Sequence, residues 1–509
     1  MEQLALALAR STAEQRQAVE AEAPVVCVLA GAGSGKTRVV TLRTAHRVAT
    51  GTAPAAHTLV CTFTRAAAAE LRHRLATLGT PVAAPLTAGA PPGDGVRIGT
   101  IHQLALSLVT RHAADSGRRP PVLVADRAAV VAAAAGEVGA DPALLDAEIS
   151  WAKARRYGPD AYEALADPAA RLPGASRGPL AAGYRAYQAG LARRRALDLD
   201  DLLVVATSLL EDDPGFAGAV RWRYRHVAVD EYQDVNPAQA ALIDAVRDPA
   251  GDLTVVGDPN QAIYGWNGAD PSIFERVADP AHGALVVRLD VNHRSTPEVV
   301  GAASAALGPD LRGTPASARP AGEPVTVRAF DDGWEEAEHV ATMVAGWAES
   351  GRSWRDLAVL ARTNDLLGPV AGAFRRAGIP FSRGRDGSDT ATLTTFHGAK
   401  GLEWGAVAVI GIEDGLVPLA RGGQVADRRE ERRLLYVALS RATDVLHCSW
   451  AARRSISGGH PTPRRPSPWL APVAARSGPP AKVTGRRSAL DRIAGLRDAL
   501  GGTARIEGS

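Results

Sequence analysis

Three carboxylates, Asp230, Glu231 and Asp234, crowd the stretch "RHVAVDEYQDVNPAQ" (225–239) directly after a short apolar run. Alone they would read as a solvated turn. A second stretch changes that reading: "LAGAGSGKTRVV" (29–40) follows the strand-like "PVVCVLA" and opens the helix-like "KTRVVTLRTAHRVAT". Strand, glycine-rich loop, then Lys-Thr at a helix start is an arrangement that cradles phosphates. Gly31, Ala32, Gly33, Ser34 and Gly35 would turn backbone N–H groups inward, with Lys36 reaching the terminal phosphates and Thr37 offering its hydroxyl to Mg²⁺. The pattern starts at Ala30 where glycine is usual. A phosphate loop also needs a second strand ending in an acid that holds the metal, and the run into Asp230 supplies it. Glu231 can then orient and deprotonate an attacking water. The two motifs together imply a nucleoside-triphosphate hydrolase.

Lysine usage points to the same loop. Of 58 basic residues only four are lysine (Lys36, Lys153, Lys400 and Lys482), so each is worth a role.

From Asp230-Glu231-Tyr232-Gln233 the chain resembles the UvrD/Rep/PcrA group of superfamily 1 DNA helicases, over about residues 8–451, with further motifs in the family's order. "STAEQRQAV" is similar to the adenine-reading Q motif, which makes Gln15 the reader, and Arg38 matches a second adenine contact. "CTFTRAAAAELRHRL" and "GTIH" resemble DNA-contact motifs. "VVGDPNQAIYGWNGA", "LDVNHRS", "TTFHGAKGLEW" and "EERRLLYVALSRA" resemble motifs III to VI. The resemblance implies that Gln261 senses the γ-phosphate and that Arg294 and Arg441 reach it from a second motor domain. His293 stands at the position that stacks on adenine and Glu403 at a ribose contact. Phe63, His102, Tyr264, Trp266 and His397 match positions touching single-stranded DNA. The implied cofactors are ATP and Mg²⁺, with Thr37 and Asp230 holding the metal. The implied activity is ATP-driven 3′–5′ movement on single strands, in repair or replication. Two alternatives are the motor subunit of a helicase–nuclease complex and an ATP-binding nucleic-acid regulator that does not unwind.

The sequence departs from the family at several points. Arg65 and Ala66 stand where Asn and Lys are usual, Asn267 replaces the arginine after Trp266, and His293 replaces a tyrosine. Between "AGIPFSRG" and "ATLTTFHGAKG" lie only the six residues 385–390, where relatives carry a helical subdomain called 2B.

The elements that must position these residues follow from the apolar runs. Runs at 25–30, 57–63, 96–99, 226–229 and 253–257 alternate with helical stretches and predict a doubly wound parallel sheet. Runs at 325–330, 357–361, 391–396, 405–412 and 444–450 predict another. The expected fold is α/β, with two RecA-like motor domains. The first (1A) takes 1–100 and 222–283, interrupted by a helical insertion (1B) at 101–221, and the second (2A) takes 284–455. Residues 79–95 read as a flexible loop. A basic Pro/Gly-rich tail fills 456–509, with a short helix at "SALDRIAGLRDAL".

Composition excludes little but agrees. At 46% hydrophobic and 22% charged this is an ordinary globular chain, with no apolar stretch of membrane-spanning length and no signal-peptide pattern. Cys27, Cys61 and Cys448 lie in strand-like runs and read as buried thiols, which together imply a cytoplasmic protein. From residue 451 onward eleven Arg or Lys face three acids, against a net charge of +3 for the whole chain. Such a tail suits nucleic acid or a protein partner. The expected partners are single-stranded DNA and duplex junctions, with no membrane.

Overall fold

A computed structural model describes residues 2–87, 93–165, 177–310, 312–313, 315–384, 387–420, 427–455 and 460–476. The chain divides into two compact units, Met1–Leu289 and Asp290–Ser509.

Unit 1 is built on a six-stranded sheet: β1 (Val25–Ala30), β2 (Thr58–Thr62), β3 (Arg97–Thr100), β4 (His226–Val229), β5 (Asp252–Gly257) and β6 (Leu285–Leu289), in the order β3-β2-β4-β5-β1-β6. Every pairing is parallel. A parallel sheet is covered on both faces, so its strands are apolar on alternate sides rather than on one. Cys27, Leu59, Cys61, Val227, Val229, Leu253 and Val255 join one core. Val26, Val28, Val60, Ala228 and Val256 join the other. The three acids therefore leave the sheet at the carboxyl ends of its strands, where open α/β sheets bind ligands.

Two predicted boundaries move. Leu285–Leu289 was assigned to the second domain, yet it pairs with β1 from Val26↔Leu285 to Ala30↔Leu289 and closes the first sheet. The helical insertion with a core of its own is also narrower than 101–221. Val130, Ile149, Tyr162, Tyr184 and Leu191 pack together. The flanking helices Ile101–Asp115 and Leu199–Asp212 instead bury Leu104, Leu108, Leu202 and Leu210 in the core of the sheet. Their apolar faces match the sheet surface, and the 3.6-residue period cannot say which partner a face will find. A charged cluster anchors the insertion: Lys153 Nζ lies 2.7 Å from both Asp198 Oδ2 and Asp201 Oδ1, and Tyr187 Oη donates to Asp198 at 2.6 Å. Within the loop expected at 79–95, Val82 bridges to Val96 and Leu86 is buried, while 88–92 lie outside the described residues.

Unit 2 carries a second six-stranded parallel sheet: β7 (Thr326–Phe330), β8 (Leu357–Ala361), β9 (Phe381–Arg383), β10 (Ala391–Thr395), β11 (Trp404–Val409) and β12 (Ala442–Ala451), in the order β7-β12-β11-β8-β10-β9. The fold class is the expected α/β with two such sheets. The sequence reading overlooked β9, whose three residues are too few to show a period. Residues 460–476, assigned to the tail, belong to this unit. Arg453–Arg454 pairs with Thr462–Pro463, and the helix Leu470–Ala474 packs on Pro297–Leu307 with Trp469, Leu470 and Val473 buried. Arg454 secures that return. It is 4% exposed, donates to Glu413 at 2.8 and 2.9 Å and to Glu336 at 2.5 Å, and Ser449 and the Ala451 N–H complete the two carboxylates. The predicted helix in 488–500 lies outside the described residues. Among the described residues no single helix is long and apolar enough to cross a membrane.

Beside that network, His447 is 2% exposed and held neutral to about pH 3 by burial, then by the neighbouring His339 and Arg328. Burial also brings His339 down to about 4. Unfolded histidine takes a proton near 6.5, so between 6.5 and the folded values the unfolded chain binds more protons. Their contribution is complete above pH 6.5 and lost as pH falls, at up to about 1.4 kcal/mol per pH unit for His447. Thermal melts of the wild type should fall steeply from pH 6.5 to 4, and those of His447→Leu less steeply from its own neutral value.

Candidate functional site

The loop after β1 takes the shape its glycines permit. Gly33 and Gly35 have φ of 69° and 91°, and a Cβ on Gly35 would sit 2.9 Å from Gln15 Nε2. Ser34 Oγ donates to Gly31 C=O at 2.8 Å, closing the loop, and Lys36 opens the helix Lys36–Ala49 without a side-chain cap. The uncapped N-terminus leaves N–H groups and partial positive charge for an anion. Lys36 is held loosely, with Nζ 3.8 Å from Asp258 Oδ2 and 3.5 Å from Ala30 C=O.

Thr37 and Asp230 meet. Thr37 Oγ1 donates to Asp230 Oδ2 at 3.1 Å. Two oxygens on adjacent corners of a Mg²⁺ octahedron lie about 2.9 Å apart, so the pair fits the ion. Among the described residues no group of three or more His, Cys, Asp or Glu could hold a metal. Asp230 is 3% exposed; burial and then the adjacent Glu231 push its carboxyl up to about 7, against the pull of Lys36. A buried carboxylate in that state favours a cation beside it.

Glu231 sits in the left-handed region at φ 56°, a sharp turn off β4 that a non-glycine residue adopts at some cost. Its N–H donates to Asp230 Oδ1 at 3.0 Å, and its Oε2 accepts from Gln233 Nε2 at 2.5 Å. Gln233 Oε1 in turn accepts from the Asp258 N–H at 2.9 Å, which ties the end of β4 to the end of β5. A Cβ on Gly257 would fall 2.5 Å from that Oε1, so the strand end needs glycine there. Gln261 Nε2 donates to Asp258 Oδ2 at 2.6 Å, the oxygen nearest Lys36.

Two predicted nucleotide contacts are engaged elsewhere. Gln15 Nε2 donates to Ser34 C=O at 2.9 Å and its Oε1 accepts from the Thr12 N–H at 3.2 Å, so it braces the phosphate loop. Arg38 Nη2 donates to Ala7 C=O at 2.8 Å, on the N-terminal helix Glu2–Ala9.

Three residues beyond Gln261, Tyr264 stacks on Phe63 with ring centroids 5.6 Å apart and planes at 7°. Trp266 meets Tyr264 edge-on at 6.4 Å and is 57% exposed. Three of the five predicted DNA contacts thus form one aromatic series. His102 is half-buried at the start of the helix Ile101–Asp115, its pKa lowered by burial.

In unit 2, Asn292 Oδ1 accepts from the N–H groups of Arg294 and Ser295 at 2.8 Å, fixing the loop that presents Arg294. Arg294 Nε pairs with Glu403 Oε2 at 2.5 Å, and His293 is exposed. Arg441 is 2% exposed and donates to Val437 C=O at 2.9 Å, Leu402 C=O at 3.2 Å and Ser440 Oγ at 2.9 Å. His397 is brought down to about 4 by burial and then Arg362.

Comparison with known proteins follows the division into units. Residues 11–282 match the UvrD/REP helicase N-terminal domain, and 287–384 with 382–453 match the UvrD-like helicase C-terminal domain. The chain belongs to the UvrD/REP helicase family. It is similar to the ATP-dependent DNA helicase UvrD2 of Mycobacterium tuberculosis, 33% identical over 595 aligned positions, covering 93% of this chain and 83% of that protein. DNA helicase II of Escherichia coli is 30% identical over 383 positions and PcrA of Leuconostoc citreum 29% over 381. Each of those alignments takes in 72% of this chain and about half of the relative.

Sequence reasoning left Gln233 and Asp258 without roles. Both lie inside the family motifs, and Asp258, two residues before Asn260 in "GDPNQ", carried a signal as a carboxylate directly after a strand. With Glu231 as the expected base, Glu231→Gln should keep nucleotide binding, measured by titration, and lower turnover about 10²-fold or more, because it leaves the phosphate loop untouched. Lys36→Ala should weaken both.

Proposed function

We propose that the protein is an ATP-dependent DNA helicase, hydrolysing ATP in a DNA-stimulated manner and moving 3′–5′ on single-stranded DNA in the cytoplasm, in repair or replication. One observation carries the reading: Gln261, which shares Asp258 with Lys36, lies three residues from Tyr264 in the Phe63–Tyr264–Trp266 series. A change in phosphate occupancy at Lys36 therefore has a short route, through its ion pair with Asp258 and along the chain past Gln261, to aromatic rings on which bases can stack.

In the proposed reaction Thr37 and Asp230 would hold Mg²⁺, which would neutralise charge on the phosphates. Glu231 orients water and takes its proton, with Gln233 fixing the carboxylate. Arg294 and Arg441 supply positive charge to the transferring phosphoryl group as the cycle closes, and His293 and Glu403 serve the base and ribose. Stacking a base is worth about 1–3 kcal/mol, close to the roughly 1.4 kcal/mol of a duplex step. Binding alone thus gives no direction, and hydrolysis must provide it.

We also propose that the chain lacks the 2B subdomain. β9 and β10 pair side by side across the connection 384–390, and the C-terminal family match comes in two pieces that meet at 382–384. The alignment with the Mycobacterium tuberculosis relative runs over 595 positions, more than the 509 residues of this chain.

Adding single-stranded DNA to the purified protein should raise ATP hydrolysis, and a 3′-tailed short duplex should be displaced in preference to a 5′-tailed one. Equal rates with and without DNA would refute the motor reading, and activation by the 5′ tail alone would reverse the polarity. Kilobase duplexes should be unwound poorly. Truncation after Arg476, which leaves the packed 460–476 segment intact, removes six Lys or Arg and three acids. It should flatten log affinity against log salt by about 0.7 per lost contact; an unchanged slope would assign the tail to a protein partner.

A further inference from the structure

The loop that presents Arg294 is fastened on two sides. Before it, the short strand Val291–Asn292 pairs in parallel with Ala316–Ser317. After it, the chain is bonded to the residues that directly follow Arg441: Ser295 Oγ donates to Ala442 C=O at 2.7 Å, and the Thr296 N–H donates to Thr443 C=O at 3.0 Å. Arg319 stands where these segments meet. Its Nη1 donates to Arg294 C=O at 2.9 Å and to Thr443 C=O at 3.3 Å, and lies 2.7 Å from Asp444 Oδ1. Arg352 Nη1 donates to the other oxygen of that carboxylate at 3.2 Å. The Arg319 backbone is held as well: its N–H donates to Ser317 Oγ at 3.0 Å, and that hydroxyl donates to Ser295 C=O at 2.7 Å.

We propose that Arg319 is a positioning residue for Arg294, fixing its backbone against residues 443 and 444 so that its guanidinium moves from a constant pivot beside Arg441. The bonds divide Arg294 into two parts. Its N–H and C=O are fastened to Asn292 and Arg319, whereas its guanidinium pairs with the solvent-accessible Glu403. A side chain that exchanges a carboxylate for a phosphate needs such a fixed base, because a misplacement of about 1 Å can cost about 10²-fold in rate. One nitrogen facing three oxygens, one of them charged, makes the Arg319 contact a charge-assisted junction. Arg319 itself lies outside the "LDVNHRS" stretch that carries Arg294.

This inference rests on the reading of Arg294 as a contact to the transferring phosphate, and the test separates the two. The kcat for ATP hydrolysis by the full chain is measured at saturating ATP with single-stranded DNA. Arg294→Ala should lower it about 10³-fold or more. Arg319→Ala should lower it by up to about 10²-fold in the wild-type chain. In the Arg294→Ala background the same change should cost less than about twofold, because a residue that acts only through Arg294 has nothing left to position. Arg319→Met, which keeps the apolar stem and removes the donors, should behave as Arg319→Ala. Arg319→Lys should recover much of the loss, since an ammonium has three donors for the three oxygens. Equal losses in both backgrounds would make Arg319 a merely structural residue and overturn the inference. So would an unchanged kcat in Arg319→Ala or Arg319→Met, or no gain of Arg319→Lys over Arg319→Ala. Wild-type kcat in Arg294→Ala would overturn the phosphate-contact reading of Arg294 and this inference together.

Discussion

Asp230, Glu231 and Asp258 are brought to the ends of two adjacent parallel strands, and Lys36 is the cation among them. Like charges in a buried place repel and lose hydration, which is why the Asp230 carboxyl is pushed up to about 7. The surrounding features serve to hold that arrangement. Glu231 takes a left-handed turn off the strand, Gln233 spans from the Glu231 carboxylate to the Asp258 N–H, and Gly257 makes room for it. Sheets that end elsewhere would separate the acids. The parallel register of β4 on β5, from His226↔Asp252 to Val229↔Val255, is what aligns Asp230 and Asp258 at one edge.

Other charged clusters in the chain solve the same problem without a ligand. Lys153 has two carboxylates at 2.7 Å and the Tyr187 ring at 4.9 Å. Arg454 is surrounded by Glu336 and Glu413, whose remaining lone pairs are taken by Ser449 and backbone N–H groups. Buried ions so thoroughly paired are structural, and breaking one leaves an uncompensated charge worth about 3–5 kcal/mol. Lys36 differs: both of its contacts are long, at 3.8 and 3.5 Å. Loose pairing is expected of a lysine whose tight partner is a phosphate.

The strands and the phosphate loop were legible because β-branched runs bounded by glycine and acids have few other readings. Leu285–Leu289 is such a run too, but whether it joins the first sheet or opens the second depends on a pairing that no local signal carries. The helices Ile101–Asp115 and Leu199–Asp212 show their apolar faces plainly and conceal their partner. "SPWLAPV" was read as tail because proline and arginine surround it, although Trp469, Leu470 and Val473 are an anchor. Gln15 was expected to read adenine from the motif it sits in, and that motif does not announce its bond to Ser34. The meeting of Arg319 with Arg294 and Thr443 lies beyond any sequence window.

The two arginines expected at the γ-phosphate stand in unequal positions within unit 2, and the difference bears on which of them can change partners. Arg294 pairs with Glu403, whose side chain is 51% exposed, and a solvent-accessible pair of this kind is worth about 0–1 kcal/mol. Arg441 is 2% exposed and makes hydrogen bonds to Val437, Leu402 and Ser440, each contributing about 1.5–3 kcal/mol for a charged donor. Releasing Arg294 toward a phosphate is therefore cheap, and releasing Arg441 is not unless the helix Arg428–Leu439 moves with it. On the proposed mechanism Arg294 exchanges one carboxylate for a phosphate at each turnover. On the same mechanism Arg441, bonded both to that helix and to Leu402 beside Glu403, approaches the phosphate only together with the helix and the loop that holds Arg294's partner.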